Sequence, residues 1–179
     1  MEETTILHEG IAVEKKDGRH LIFQLGDRGY GIPILQVNEI ICLMDIIPVP
    51  KTPHYIKGIV NLRGKIIPIM DLRLKFDMPA KDYDEQTSII IVSITVGNDK
   101  KQMGILIDTV SEVVDIPASE IEPPPQYGAK SSEDSLGGVG KVKGKVVMLL
   151  NIENIIHSDE LIKILDNKKD CTKNTEIEV

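Results

Sequence analysis

The stretch GIPILQVNEII, Gly31 to Ile41, returns later in the chain as GILIDTVSEVV, Gly104 to Val114. The two align without gaps, and Gly31, Ile32, Ile34, Val37 and Glu39 meet the same residue types at Gly104, Ile105, Ile107, Val110 and Glu112. A second pair follows. GIVNLRGKIIPIMDL (Gly58 to Leu72) aligns on GVGKVKGKVVMLLNI (Gly138 to Ile152), with Gly58, Gly64 and Lys65 matching Gly138, Gly144 and Lys145. Arg63 then faces Lys143, and Asp71 faces Asn151. The matched Gly and Glu positions are not what a shared Ile/Val-rich strand composition alone would produce. The second pair is spaced wider than the first, and the polar stretch Tyr127 to Ser135 is the obvious insertion.

A twofold repeat of this length is no solenoid, which needs several short units. Its local pattern is β. Leu21–Leu25, Lys65–Leu72, Ile89–Val96 and Lys145–Ile152 are short apolar runs bounded by turn signals such as Gly26-Asp27-Arg28-Gly29 and Gly97-Asn98-Asp99. Such runs read as buried strands joined by tight turns. Pro48, Pro50, Pro53, Pro117 and Pro123 to Pro125 exclude long helices between them. Each unit therefore reads as a hairpin, a short helical turn, a strand, a proline-rich crossing and a closing hairpin at Gly64 or Gly144. Units this small have marginal cores alone, so the two are expected to pack about an approximate twofold axis.

The expected organisation is a flexible arm over 1–17, a body over 18–157, a short helix over 158–166 and a disordered tail over 167–179. The halves of the body fall at about 18–80 and 85–157, with strand exchange possible. Ser158 caps the helix signal SDELIKIL, with Asp159 and Glu160 in its first turn.

The chain has 179 residues and a net charge of −7, with four Tyr, two Phe and no Trp. An acidic chain with few stacking rings is poorly suited to a nucleic-acid backbone. A small-barrel nucleic-acid-binding protein is accordingly the weaker alternative from another class. No apolar run reaches the length of a membrane helix, and the acidic start MEETTILHEG lacks the apolar core of a secretory signal. Cys42 lies in an apolar run and is expected to pack as a small hydrophobe, while Cys171 lies in the polar tail. The pair does not suggest a disulfide framework, and a reducing cytoplasm is expected.

No reaction centre is legible. His8, His20, His54 and His157 show no metal-ligand spacing. Arg63-Gly64-Lys65 and Lys143-Gly144-Lys145 fail as phosphate loops, because Ile66 and Val146 stand where Ser or Thr would hold magnesium. Hairpin turns explain both. Neither enzyme activity nor a cofactor is expected. Ile34, Val37, Val110 and Val113 surround the duplicated V-x-E element, and an apolar groove at the junction of the units would suit an amphipathic helix.

These residues carry a resemblance. IKGIVNLRGKIIPIMDLRLKF (Ile56 to Phe76), VPKTPHYIKG (Val49 to Gly58), LGDRGYGIPILQVNEI (Leu25 to Ile40) and MGILIDTVSEVVDIPASEIEPPP (Met103 to Pro125) resemble the CheW family of bacterial chemotaxis coupling proteins. The resemblance implies an all-β fold: two pseudo-twofold-related, five-stranded SH3-like β-barrels packed together, with short helical turns and a C-terminal helix. It implies a non-enzymatic adaptor, cytoplasmic and recruited to membrane-associated receptor arrays, touching the membrane only through receptors. Its partners would be chemoreceptor cytoplasmic tips and the regulatory domain of the histidine kinase CheA; a scaffold for a different receptor–kinase pathway is the nearer alternative. Carried over by motif, receptor contact falls on Ile34, Val37, Glu39, Gly58, Arg63, Gly104, Val110 and Val113. Kinase contact falls on Lys57, Asp45 and Ile46. The opposite charges of Glu39 and Arg63 suggest that they pair.

Overall fold

A computed structural model describes residues 4–6, 12–14, 18–96, 98–124 and 135–156, with side chains from residue 18 onward. The expected helix over 158–166, the tail over 167–179, His8, His157, Cys171 and the insertion over 127–134 lie outside the described residues.

The chain begins with two short strands, β1 (Thr4–Ile6) and β2 (Ala12–Glu14), where a loose arm was expected. The first unit follows: β3 (Arg19–Leu25), β4 (Arg28–Pro33), a single 3-10 turn (Ile34–Gln36), β5 (Val37–Cys42), β6 (Ile56–Leu62), β7 (Lys65–Asp71) and the one-turn helix α1 (Leu72–Lys75). The second unit repeats the order: β8 (Ser88–Val96), β9 (Asp99–Ile107), β10 (Thr109–Asp115), β11 (Leu136–Val142), β12 (Lys145–Leu150) and α2 (Ile152–Ile156). The helical turn between hairpin and strand appears only in the first unit. In the second, Asp108 alone joins β9 to β10.

The units do not fold as contiguous halves. One sheet runs β2-β1-β5-β8-β9-β7-β6 and the other β10-β3-β4-β12-β11. Each unit thus lends its first hairpin to the other's sheet, and the two five-stranded barrels are exchanged products of the repeat. Barrel one is β5 to β9, extended at one edge by β1 and β2. Barrel two is β3, β4 and β10 to β12. The repeat extends to fine geometry. Register shifts fall between Val37 and Glu39 and between Val110 and Glu112, and again between Ile56 and Gly58 and between Leu136 and Gly138. The closing hairpins turn at Arg63-Gly64 (φ 51° and 86°) and Lys143-Gly144 (φ 52° and 78°). Positive φ at both central residues matches the twist of the strands they join.

Strand exchange explains why the first strand of each unit is apolar almost throughout. Leu21, Phe23 and Leu25 face the junction between barrels, while Ile22 faces the interior of barrel two. Ile90, Val92 and Ile94 face the junction from β8, while Ile89 and Ile91 face into barrel one. A strand buried on both faces loses polar alternation. The junction is the largest core of the molecule, and it includes a run of stacked rings: Phe23 to Tyr30 at 6.0 Å and Tyr30 to Phe76 at 5.9 Å. Each such pair contributes about 0.5–1.5 kcal/mol beyond area burial.

Candidate functional site: the margins of the junction

The expected open seam is filled by the protein's own side chains. Ile34 and Val37 are fully buried in the junction core. They build the surface from beneath, so the open groove that they were expected to line is filled in this structure. Gly104 is also buried, and a Cβ there would lie 2.4 Å from Ile69 Cδ1 and 2.9 Å from Ile89 Cγ2. Its role in this fold is close packing of β9 on β7 and β8. Val110 and Val113 are only partly buried, on the edge strand β10, and remain at the margin. Leu35, on the 3-10 turn, is 50% exposed, and nothing in the sequence reading singled it out.

Glu39 and Arg63 do meet. The guanidinium of Arg63, on the β6–β7 turn, donates to Glu39 Oε1 on β5. Arg63 is largely solvated, so the pair resembles exposed ones worth about 0–1 kcal/mol. The same bond exists in barrel two, where Lys143 Nζ stands 3.0 Å from Glu112 Oε2. The repeat alignment put both partners in register, so that twin was legible in the sequence. Gly58 has φ 143°, and a Cβ there would sit 2.1 Å from the carbonyl oxygen of Ile47. Only glycine lets the two backbones approach this closely.

The three kinase-side candidates form one neighbourhood. Ile47 and Ile59 exchange backbone hydrogen bonds of 2.9 Å, drawing the segment 45–47 alongside β6, which carries Lys57. Asp45 is exposed, and the Lys57 ammonium stands 5.9 Å over the Tyr83 ring. Ile46 instead packs against the barrel-one interior. Cys42, expected inside, is exposed at the end of β5.

Two features were not anticipated. Barrel two opens into a groove of about 680 Å³ whose lining includes Ile22, Arg28, Glu112, Lys143, Val146 and Val147. A charged cluster lies where α1 meets the β3–β4 turn. Arg73 on α1 donates through Nε and Nη2 to the two oxygens of Asp108 at 2.7 and 2.6 Å, and the Gly26 amide donates to Asp108 Oδ2 at 2.7 Å. Tyr83 donates to Asp71 Oδ2 at 2.9 Å. Burial would raise the Asp108 carboxyl, but the hydrogen bonds from Arg73 and Gly26 and the nearby cations outweigh it and hold the group below the usual carboxylate range. The Tyr83 phenol is pushed up by burial and by the Asp71 charge. These groups are committed to one another, as in a structural joint. Among the described residues, no three His, Cys, Asp or Glu side chains gather where they could hold a metal.

A duplicated, strand-exchanged double barrel whose outer margins carry paired charges and isolated apolar residues is a scaffold with several faces. Comparison with known proteins assigns it more closely. The CheW-like domain family matches residues 19–160, and the chain belongs to that family. It is 36% identical to chemotaxis protein CheW of Klebsiella aerogenes over 157 residues, covering 88% of this chain and 92% of that protein. It is 34% identical to chemotaxis protein CheW of Helicobacter pylori, covering 76% and 80%. Among solved structures it is similar to the scaffolding protein TtCheW from Thermoanaerobacter tengcongensis, with 30% identity, a TM-score of 0.71, and 80% and 90% of the two chains covered.

Proposed function

We propose that this chain is a non-enzymatic chemotaxis adaptor that joins chemoreceptor cytoplasmic tips to the regulatory domain of the histidine kinase CheA. The observation that carries the reading is the family match across the whole duplicated body, in a chain whose curated relatives are chemotaxis proteins. The location that goes with it is cytoplasmic, at receptor arrays; no helix among the described residues is long and apolar enough to cross a membrane.

Receptor contact belongs to the margin formed by Val110 and Val113 on barrel two and to the Glu39–Arg63 pair on barrel one. Ile34 and Val37 support the junction core on which that margin packs, while Gly104 holds the strands of barrel one together. Kinase contact belongs to the neighbourhood of Lys57 and Asp45. Coupling then follows from linkage: a receptor state that binds the adaptor differently shifts how the adaptor holds the kinase. Modest single contacts suffice where several act together in an array.

The test is binding of the full chain to a receptor-tip fragment and to the kinase regulatory domain, each alone. Val110→Asp and Val113→Asp should weaken the receptor fragment at least tenfold, with kinase-domain affinity and the circular-dichroism spectrum unchanged. Equal loss at both partners by a folded variant would remove the margin from the receptor site. Failure of the parent chain to bind either partner would end the adaptor reading.

A further inference from the structure

Within the duplicated body, from β3 onward, the chain passes between barrels twice, and the two passages are built differently. The first, from β4 to β5, uses the 3-10 turn Ile34–Gln36. The second, from β9 to β10, is the single residue Asp108. The repeat places Leu35 opposite Asp108 and Glu153 opposite Arg73. One passage therefore carries a largely buried ion pair where the other carries a half-exposed leucine and an exposed acid.

Asp108 grips both barrels at once. Its side chain takes Arg73 from the end of barrel one and the Gly26 amide from the β3–β4 turn of barrel two, and its own amide donates to Gln24 O on β3 at 3.2 Å. Arg73 further donates through Nη1 to Pro79 O at 3.0 Å, tying down the linker between units. The pair is nearly closed to solvent, with side chains 14% and 10% exposed. On the same side Phe76 stacks on Tyr30. Among the described residues the first passage shows no matching ion pair: Ile34 is packed in the junction core, but Leu35 is half-exposed and Gln36 Oε1 is buried without a hydrogen-bond partner. An unmet buried acceptor weakens the packing that encloses it.

We propose that the junction is a one-sided hinge: the Arg73–Asp108 clamp is its pin, and the barrels part at the Ile34–Gln36 passage. Arg73 is then a positioning residue that confines relative motion of the barrels to one axis. On the adaptor reading above, and only on it, this hinge is how a partner seated on one barrel alters the angle presented to a partner on the other.

Hydrogen exchange on the full chain tests the hinge without any partner. In the parent protein, peptides covering the first passage should exchange at least tenfold faster than those covering Gly26 and Asp108. Arg73→Met should raise exchange at Gly26 and at 106–110 by tenfold or more, with peptides from the barrel-one interior strand β7 unchanged within twofold. Arg73→Lys, which keeps the charge and loses the two-pronged bond, should fall between; it serves as the readout should the Met variant not fold. Uniform acceleration across both barrels, or none at the second passage, would overturn the hinge. A second arm measures kinase-domain affinity with and without saturating receptor fragment. Arg73→Met should bring that ratio to one while each separate affinity stays within threefold. Loss of either separate affinity beyond threefold, or an unchanged ratio, would overturn the hinge's role in coupling. Absence of binding by the parent chain would count against the adaptor reading alone, because the exchange result stands apart from it.

Discussion

Barrel one and barrel two share one backbone plan yet are sealed differently. In barrel one, Val37 and Ile40 of β5 are buried and Leu43, Met44 and Ile46 pack onto the interior core. In barrel two the matching residues of β10, Val110 and Val113, stay partly exposed, the buried interior is limited to Ile22, Ile116, Val147 and Leu149, and a groove opens beside it. The edges differ as well: β5 is covered by β1, with Ile6 opposite Glu39, whereas β10 is the outer strand of its sheet. Duplication preserved what the fold requires, namely hairpins, register shifts and turn glycines. It released the surfaces, where one barrel closed and the other kept an open groove.

Matched substitutions in the two units sharpen that contrast. The largest effect is expected at Gly58, where a methyl group would strike the Ile47 backbone. Gly58→Ala should cost more than about 3 kcal/mol in urea unfolding, while at Gly138 the nearest obstacle is the Ile121 side chain at 2.7 Å, and the alanine variant should cost about 1–2 kcal/mol. Equal costs would mean that the two crossings are equivalent after all. Next come the valines. Val37→Ala should lose about 2 kcal/mol by transfer and cavity terms, and Val110→Ala about half of that.

The clamp supplies a pH signature that only one side of the junction possesses. The folded Asp108 carboxyl titrates below the ordinary value of an unfolded aspartate, which is about 3.9. Its contribution is therefore fully present above that value and is lost as pH falls through the depressed folded value. The stability difference between the parent chain and Asp108→Asn should be constant near neutrality and shrink steadily below about pH 4. The smallest effects are expected at the twin surface ion pairs. Lys143→Met and Arg63→Met should each shift stability by less than about 1 kcal/mol, and the shift should diminish further in high salt.

The strands, closing hairpins and twofold relation are legible from Gly31–Ile41 and Gly58–Leu72 and their copies, because turn glycines and apolar runs are local signals. The barrel boundaries are not. Alternation along Leu21–Leu25 tells which residues are buried, and hairpin formation tells what pairs first, but neither tells which sheet receives the hairpin. The doubly buried runs of β3 and β8 were the available hint. The Glu39–Arg63 pair followed from charge and the family pattern. The Arg73–Asp108 clamp had no echo in the repeat, since Glu153 and Leu35 occupy the twin positions. Ile34 and Val37 show the same limit: sequence marks a residue as apolar without saying which side of a surface it occupies.

On the adaptor reading, one duplicated scaffold presents separate surfaces to two partners. Sedimentation of the full chain with both a receptor-tip fragment and the kinase regulatory domain measures this directly. A single species with the mass of all three components is the predicted result. Displacement of one partner by the other, at concentrations where each binds alone, would contradict it.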